Sequence, residues 1–140
     1  MNYKRIKHYD CKIKNSNSDE LFKGELVVAC PQKENGYSPI ANEILDAISK
    51  VQINGTQAVI IFQLWRYTYG FSRKSHYLSE TFISKATGIN KRCISREMKS
   101  LIAGKIITVV SESTFTKPRV IAFNKNYDEW LLKNRCHTVV

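Results

Sequence analysis

An α+β fold, a helical core closed by a C-terminal β-hairpin, is what this 140-residue sequence predicts, and three observations predict it. Apolar residues recur at helical spacing in successive stretches between Ser38 and Ala103. A glycine, Gly88, breaks the chain before the last of those stretches. Two short β-branched runs then follow, separated by a turn. Helix, helix, helix, tight turn, helix, hairpin is the order of a winged helix-turn-helix.

Residues 1–35 read as an N-terminal extension in which Leu26 to Cys30 forms a short strand stopped by Pro31. The winged-helix domain is assigned to residues 36–133, and 134–140 form a tail. Ser38 is expected to cap the first helix, with Pro39 at its first position. Ile40, Ile44, Leu45 and Ile48 give that helix one apolar stripe. Thr56 is expected to cap the second helix, where Val59, Ile60, Ile61, Phe62, Leu64 and Trp65 are apolar on several sides. It should therefore be the central helix, ended by Gly70. Phe71 to His76 reads as a basic, polar connection. Ser79 caps a short third helix with Phe82, Ile83 and Ala86 on its inner side. Asn90 caps the fourth, and Gly104 closes it. Ile106–Val110 and Arg119–Phe123 are the hairpin strands, joined by a polar turn from Ser111 to Lys117. Tyr127 to Leu132 is a last helical turn anchored by Trp130.

Charge narrows the partner class. The chain holds 22 Lys and Arg against 12 Asp and Glu, a net +10. Eight of those bases fall between residues 73 and 105, against only Glu80 and Glu97. Such an excess favours a polyanion, because neutralising phosphates releases condensed counterions. A membrane surface is also a polyanion, so the sign of the charge alone does not choose between membrane and nucleic acid. No apolar run approaches the roughly 20 residues needed to span a bilayer, and the partner expected is nucleic acid and not membrane. Basic residues at Met1–Lys7 are not followed by the apolar core of a signal peptide, so the protein is expected to stay in the compartment where it is made, a cytoplasm.

The fourth helix carries the clearest functional signal. With Ile94 as zero and about 100° per residue, Met98, Leu101 and Ile102 lie within about 80° of it. Arg92, Arg96, Lys99 and Ser100 lie on the other side, between about 140° and 240°, with Ser95 and Cys93 on the flanks. One side packs and the other is free to enter a major groove. Gly88 supplies the positive φ that a sharp inter-helix turn needs. The helix start at Asn90 can receive a phosphate, and Arg92 and Arg96 can read guanine O6 and N7. Asn90, Lys91, Arg92, Ser95, Arg96 and Lys99 are the candidate DNA-binding residues, Lys117 and Arg119 candidates on the wing, and Arg73 and Lys74 candidates in the loop before the third helix. The aromatic run Trp65, Tyr67, Tyr69 and Phe71 reads first as core packing, with a base-stacking platform for single strands as the other reading.

Catalytic and metal chemistry find no support. No phosphate loop, hydrolase elbow or nucleotide-binding glycine pattern occurs, and no acid pair is suggestively spaced, so the chain reads as non-enzymatic and without cofactor. His8 with Cys11, and Cys136 with His137, lack the paired clips of a structural zinc site. Cys11, Cys30, Cys93 and Cys136 are scattered and read as reduced thiols, Cys30 as a small buried apolar residue.

Four segments, in order, resemble the N-terminal domain of phage replication protein O, the lambda-type origin-binding initiator family. They are Gly36–Leu45, Arg66–Phe71 with its Thr68-Tyr69-Gly70, Leu78–Met98 with the helix-turn-helix, and Asn124–Trp130. The resemblance implies a winged helix that binds repeated duplex sites at a replication origin, often as a homodimer, with contacts from Lys91, Arg92, Ser95, Arg96 and Lys99. Members of that family continue into a region that recruits the helicase-loading machinery. Here the sequence stops ten residues after Trp130, which suggests either a DNA-binding fragment or a stand-alone relative. Three functions follow. The first is sequence-specific binding of double-stranded DNA in replication, and the second is transcriptional regulation of a phage or mobile element. The third is inhibition of a host or defence protein, with residues 1–35 as the partner surface for that protein or for a replication protein.

Overall fold

The computed structural model describes residues 29–133. Contacts divide the chain between Asn35 and Gly36. Of the first unit, the structure describes a short segment with a 3-10 turn at Lys33–Asn35. Most of the strand expected at Leu26–Cys30 lies outside the described residues, and Ala29 and Cys30 are not in a strand. Cys30 is half-buried and disulfide-bonded, which corrects the expectation of a reduced, buried thiol there.

The second unit follows the expected order with one addition. Helices α1 (Asn42–Lys50), α2 (Gly55–Thr68), α3 (Glu80–Thr87) and α4 (Lys91–Ala103) surround a small antiparallel sheet. Its strands are β1 (Ser75–Tyr77), β2 (Ile107–Ser111) and β3 (Val120–Phe123), in the spatial order β1-β3-β2. This is an α+β winged helix. β1 is the addition, in the stretch read as a polar connection. It pairs Ser75 with Ala122, His76 with Ile121 and Tyr77 with Val120. Three residues carry no readable alternation, so the pairing comes from β3 and not from a local signal. On the other side β3 pairs Phe123 with Ile107 and Ile121 with Val109, and a bulge follows Val109.

The core lies where α2 meets α3, α4, β1 and β3. Ile60, Ile61 and Leu64 of α2 are buried together with Ile83, Ile94, Met98, Leu101, Ile106, Ile107 and Ile121. Trp65 packs edge-on against Phe123 at 5.3 Å. Each fully buried aliphatic side chain stabilises the fold by about 1.5–3 kcal/mol relative to exposure.

Several helix ends differ from expectation for reasons the structure makes plain. Ser38 does not cap α1. The chain is still extended at Ala41 (ψ 136°), which takes the cap position without a side-chain bond. That extended approach lets Ile40 pack on the core beside Ile44 and Ile48, while Leu45 is exposed. Asn54, not Thr56, caps α2. Its Oδ1 accepts from Gln57 N at 2.8 Å and its N donates to Gln57 Oε1 at 3.1 Å, a reciprocal box that Thr56 has no partner to form. Phe82 and Ala86 face outward instead of inward, and Phe62 of α2 is exposed as well. α2 ends at Thr68, and Gly70 sits in the 3-10 turn that follows. Gly104 follows α4 with an ordinary φ of −76°. The left-handed residue is Lys105, at φ 58°, and its carbonyl accepts from Asn124 Nδ2 at 2.8 Å. A Cβ on Gly104 would sit 2.9 Å from the Leu132 side chain, so what this position requires is close approach.

Gly88 does adopt the expected positive φ, 75°, between α3 and α4, with open space around it. Gly88→Ala is therefore expected to destabilise the protein by about 1–2 kcal/mol through backbone strain alone, with Gly88→Asn costing less. Urea midpoints of the two variants check this, and an unchanged midpoint for Gly88→Ala would show that the turn has another accessible geometry.

Candidate nucleic-acid interface

The sequence builds α4 as a two-sided helix. Asn90 Oδ1 accepts from Arg92 N at 2.8 Å and opens the helix. The turn before it is tied down by side chains: Ser84 Oγ donates to Ile89 O at 2.6 Å, and Thr87 Oγ1 donates to Ile83 O at 2.7 Å. Ile94, Met98 and Leu101 are buried, and Ile102 is half-buried. Lys91, Arg92, Arg96 and Lys99 are exposed, with Ser95 half-buried between them. These five residues and Glu80 line a shallow open depression of about 630 Å³. Glu80, the first residue of α3, is the one acid among the lining residues.

The structure brings some of the remaining candidates to this surface. A smaller depression of about 260 Å³ lies between the starts of α3 and α4 and the hairpin, lined in part by Glu80, Lys91, Pro118 and Arg119. Arg119 thus stands at the base of the wing, its Nε 3.4 Å from Glu112 Oε2 and out of line for a hydrogen bond. Lys117 is exposed further out, in a turn closed by Thr114 N to Lys117 O at 2.9 Å and Lys117 N to Thr114 Oγ1 at 3.2 Å. Phe115, fully exposed at the tip, makes this turn less polar than its sequence suggested. Arg73 and Lys74 lie on the α2–β1 connection and line neither depression.

Glu97 is the residue that sequence reasoning missed. Counted only as an acid within a basic block, it is buried and joins α4 to the cap of α2. Its Oε2 accepts from Asn54 Nδ2 of the α2 cap at 3.0 Å, and its Oε1 accepts from Arg96 Nε at 3.2 Å. Gln57, also buried, donates from Nε2 to Ser100 Oγ at 3.2 Å beside it. Arg96 is thereby held by one guanidinium nitrogen, Nε, while 72% of its side chain stays open to solvent. The available signal was angular: Glu97 falls about 60° from Ile94, inside the apolar arc. An acid there needs a reason, because buried carboxylates are costly unless hydrogen-bonded.

Among the described residues, no cluster of three or more His, Cys, Asp or Glu can hold a metal ion. The His8/Cys11 and Cys136/His137 pairs lie outside the described residues. No described helix is long and apolar enough to cross a membrane.

The family described as bacteriophage replication protein O matches residues 30–130. The DNA replication protein gp18 of Salmonella phage P22 is 28% identical over 100 residues, covering 71% of this chain and 34% of that protein. Replication protein 15 of Enterobacteria phage phi80 is 26% identical over 98 residues, covering 70% of this chain and 32% of that protein. The match thus spans about a third of the length of these curated relatives. No solved structure matches the chain.

The Glu97 network has a pH signature. The Asn54 amide first, then Arg96 and Gln57, hold the carboxyl below its usual range against the opposing effect of burial. Glu97 therefore stabilises the fold above its unfolded value of about 4.3, and that contribution is lost as pH falls through the lower folded value. Glu97→Gln is expected to be less stable than the parent at neutral pH and to show a shallower loss of stability below about pH 4.3. Thermal unfolding across that range checks it, and parallel pH profiles for the two proteins would exclude the linkage.

Proposed function

The chain belongs to the bacteriophage replication protein O family, and from that premise we propose that residues 36–133 form a unit that binds specific double-stranded DNA sites for phage DNA replication. The observation that carries this reading is the exposed basic side of α4, anchored by the buried apolar residues Ile94, Met98 and Leu101 on its opposite side. The helix enters the major groove with Arg92 and Arg96 reaching guanine edges. Lys91, Ser95 and Lys99 contact bases or phosphates, and the α4 start at Asn90 meets a phosphate. The wing follows the backbone, with Lys117 as a phosphate contact and Arg119 closer to the α4 start. Both relatives are named as replication proteins, which favours origin sites over promoter sites. Such a protein works in the cytoplasm of the infected bacterium, and the chemistry requires neither a cofactor nor catalysis.

Selection of bound duplexes from random DNA tests the reading. An enriched motif that disappears in the Arg92→Ala/Arg96→Ala variant supports it, and its repeat spacing distinguishes an origin from an operator. Arg96→Ala alone is expected to cost about 1–3 kcal/mol of binding and to relax one base pair. Lys117→Ala should weaken all sequences alike and lower the salt slope by about one. Titrations at several salt concentrations measure both, and an Arg96→Ala variant that keeps full specificity would falsify the docking.

A further inference from the structure

A second surface has nothing to do with α4. Five aromatic rings gather where the end of α2, the 3-10 turn at Tyr69–Phe71, β1 and α3 meet. Phe71, Tyr67 and His76 form a row, with 6.2 Å between neighbouring ring centres and planes 16° apart. Phe82 stands edge-on to Tyr67 at 5.1 Å, and Tyr77 lies 6.2 Å from His76. Three of these rings are open to solvent: Phe71 is 48% exposed, Tyr77 51% and Phe82 41%. By contrast, Trp65 is buried in the core and Tyr69 is half-buried, its phenol pushed up to about 12 by burial. The aromatic run of the sequence is thus split between core and surface.

The patch is cationic as well as aromatic. Arg66 lies 5.3 Å from the Phe71 ring centre and 5.5 Å from that of Tyr67, and Arg73 lies 5.0 Å from Phe71. Arg73 Nη1 donates to His76 Nδ1 at 2.9 Å. Burial first, and Arg73 second, lower the pKa of that imidazole and favour its neutral form. Arg66, Arg73 and Lys74 are all exposed, and none is ion-paired with a carboxylate among the described residues. Open cations call for an anionic partner. Open rings, with guanidinium groups lying over them, call for flat π-faces to stack on. A duplex hides its base faces inside the stack, whereas a single strand presents both phosphates and bases.

We propose that the surface formed by Tyr67, Phe71, His76, Tyr77 and Phe82, with Arg66 and Arg73, binds single-stranded DNA by base stacking. It uses none of the α4 residues. α3 carries both surfaces: Glu80 and Thr81 line the depressions beside α4, while Phe82 belongs to the aromatic patch. One molecule can hold a duplex at α4 and an unpaired strand on the patch.

Fluorescence anisotropy with a labelled oligo(dT) of about 12 nucleotides tests this, at an ionic strength near about 0.15 M. Phe71→Ala/Phe82→Ala is expected to weaken binding of the oligonucleotide at least about tenfold. Duplex binding and melting temperature should stay unchanged. Arg66→Ala/Arg73→Ala should weaken it too, with a shallower salt dependence. Arg92→Ala/Arg96→Ala should keep oligonucleotide binding while losing the duplex, so failure at one surface is distinguishable from failure at the other. Three results overturn the proposal. One is unchanged oligonucleotide affinity in both patch variants. Another is displacement by linear polyphosphate as readily as by unlabelled oligonucleotide. The last is a parent dimer that becomes monomeric in Phe71→Ala/Phe82→Ala without loss of oligonucleotide affinity, which assigns the patch to a second copy of the chain.

Discussion

The exposed basic side of α4 depends on burying the opposite side of the same helix. Thirteen residues of helix are marginal in water by themselves, so α4 exists as a straight, fixed rod because Ile94, Met98 and Leu101 are fully enclosed by the core. Three such side chains supply several kcal/mol, and they also set the helix rotation. Once that rotation is fixed, Lys91, Arg92, Arg96 and Lys99 have no choice but to face solvent. Glu97 adds a second constraint of a different kind. Its bonds to Asn54 and Arg96 connect the cap of α2 to the guanidinium of an exposed arginine, so the central helix and the basic surface share one network.

The segment after the hairpin has a structural task. Asn124 donates from Nδ2 to Lys105 O at 2.8 Å and to Glu129 Oε2 at 3.1 Å, while its Oδ1 accepts from Asn126 N at 3.1 Å. Its carbonyl accepts from Trp130 Nε1 at 2.9 Å. Asn126 Nδ2 donates to the other Glu129 oxygen, Oε1, at 3.1 Å. Leu131 N then reaches Gly104 O at 2.9 Å, and Leu132 packs on Gly104. These bonds fasten the chain over the end of α4 and hold Lys105 in its left-handed conformation. This clamp gives the family-like Asn124–Trp130 stretch a structural task.

Among the described residues, two groups of cations stand in chemically different surroundings. Around α4 the cations line an open depression beside Glu80 and Ser95. Around Phe71 the arginines lie on aromatic rings, where part of their hydration is already replaced by π-faces. Charge alone draws any polyanion to either place. On the proposed readings, the surroundings of each guanidinium set which groups of a nucleic acid it engages: base edges in a groove, or the face of an unpaired base.

The sequence by itself determined the order of helices and hairpin, the side of α4 that packs, the caps at Ser79 and Asn90, and the left-handed glycine at position 88. All of these rest on spacing within one or two turns of chain, and periodicity or a capping oxygen acts locally. The candidate residues on α4 were legible for the same reason. What only the tertiary structure decided depends on partners far away in sequence. β1 exists because β3 pairs with it, and Asn54 caps α2 while also reaching Glu97, 43 residues on. Phe62 and Phe82 face outward because the core space around α2 and α3 is already filled by Ile60, Ile61, Leu64 and Ile83. The division of the aromatic run into a buried Trp65 and an open Phe71 has the same origin. Local spacing records which residues share a helix face, but whether another element covers that face is settled only when the chain folds back on itself.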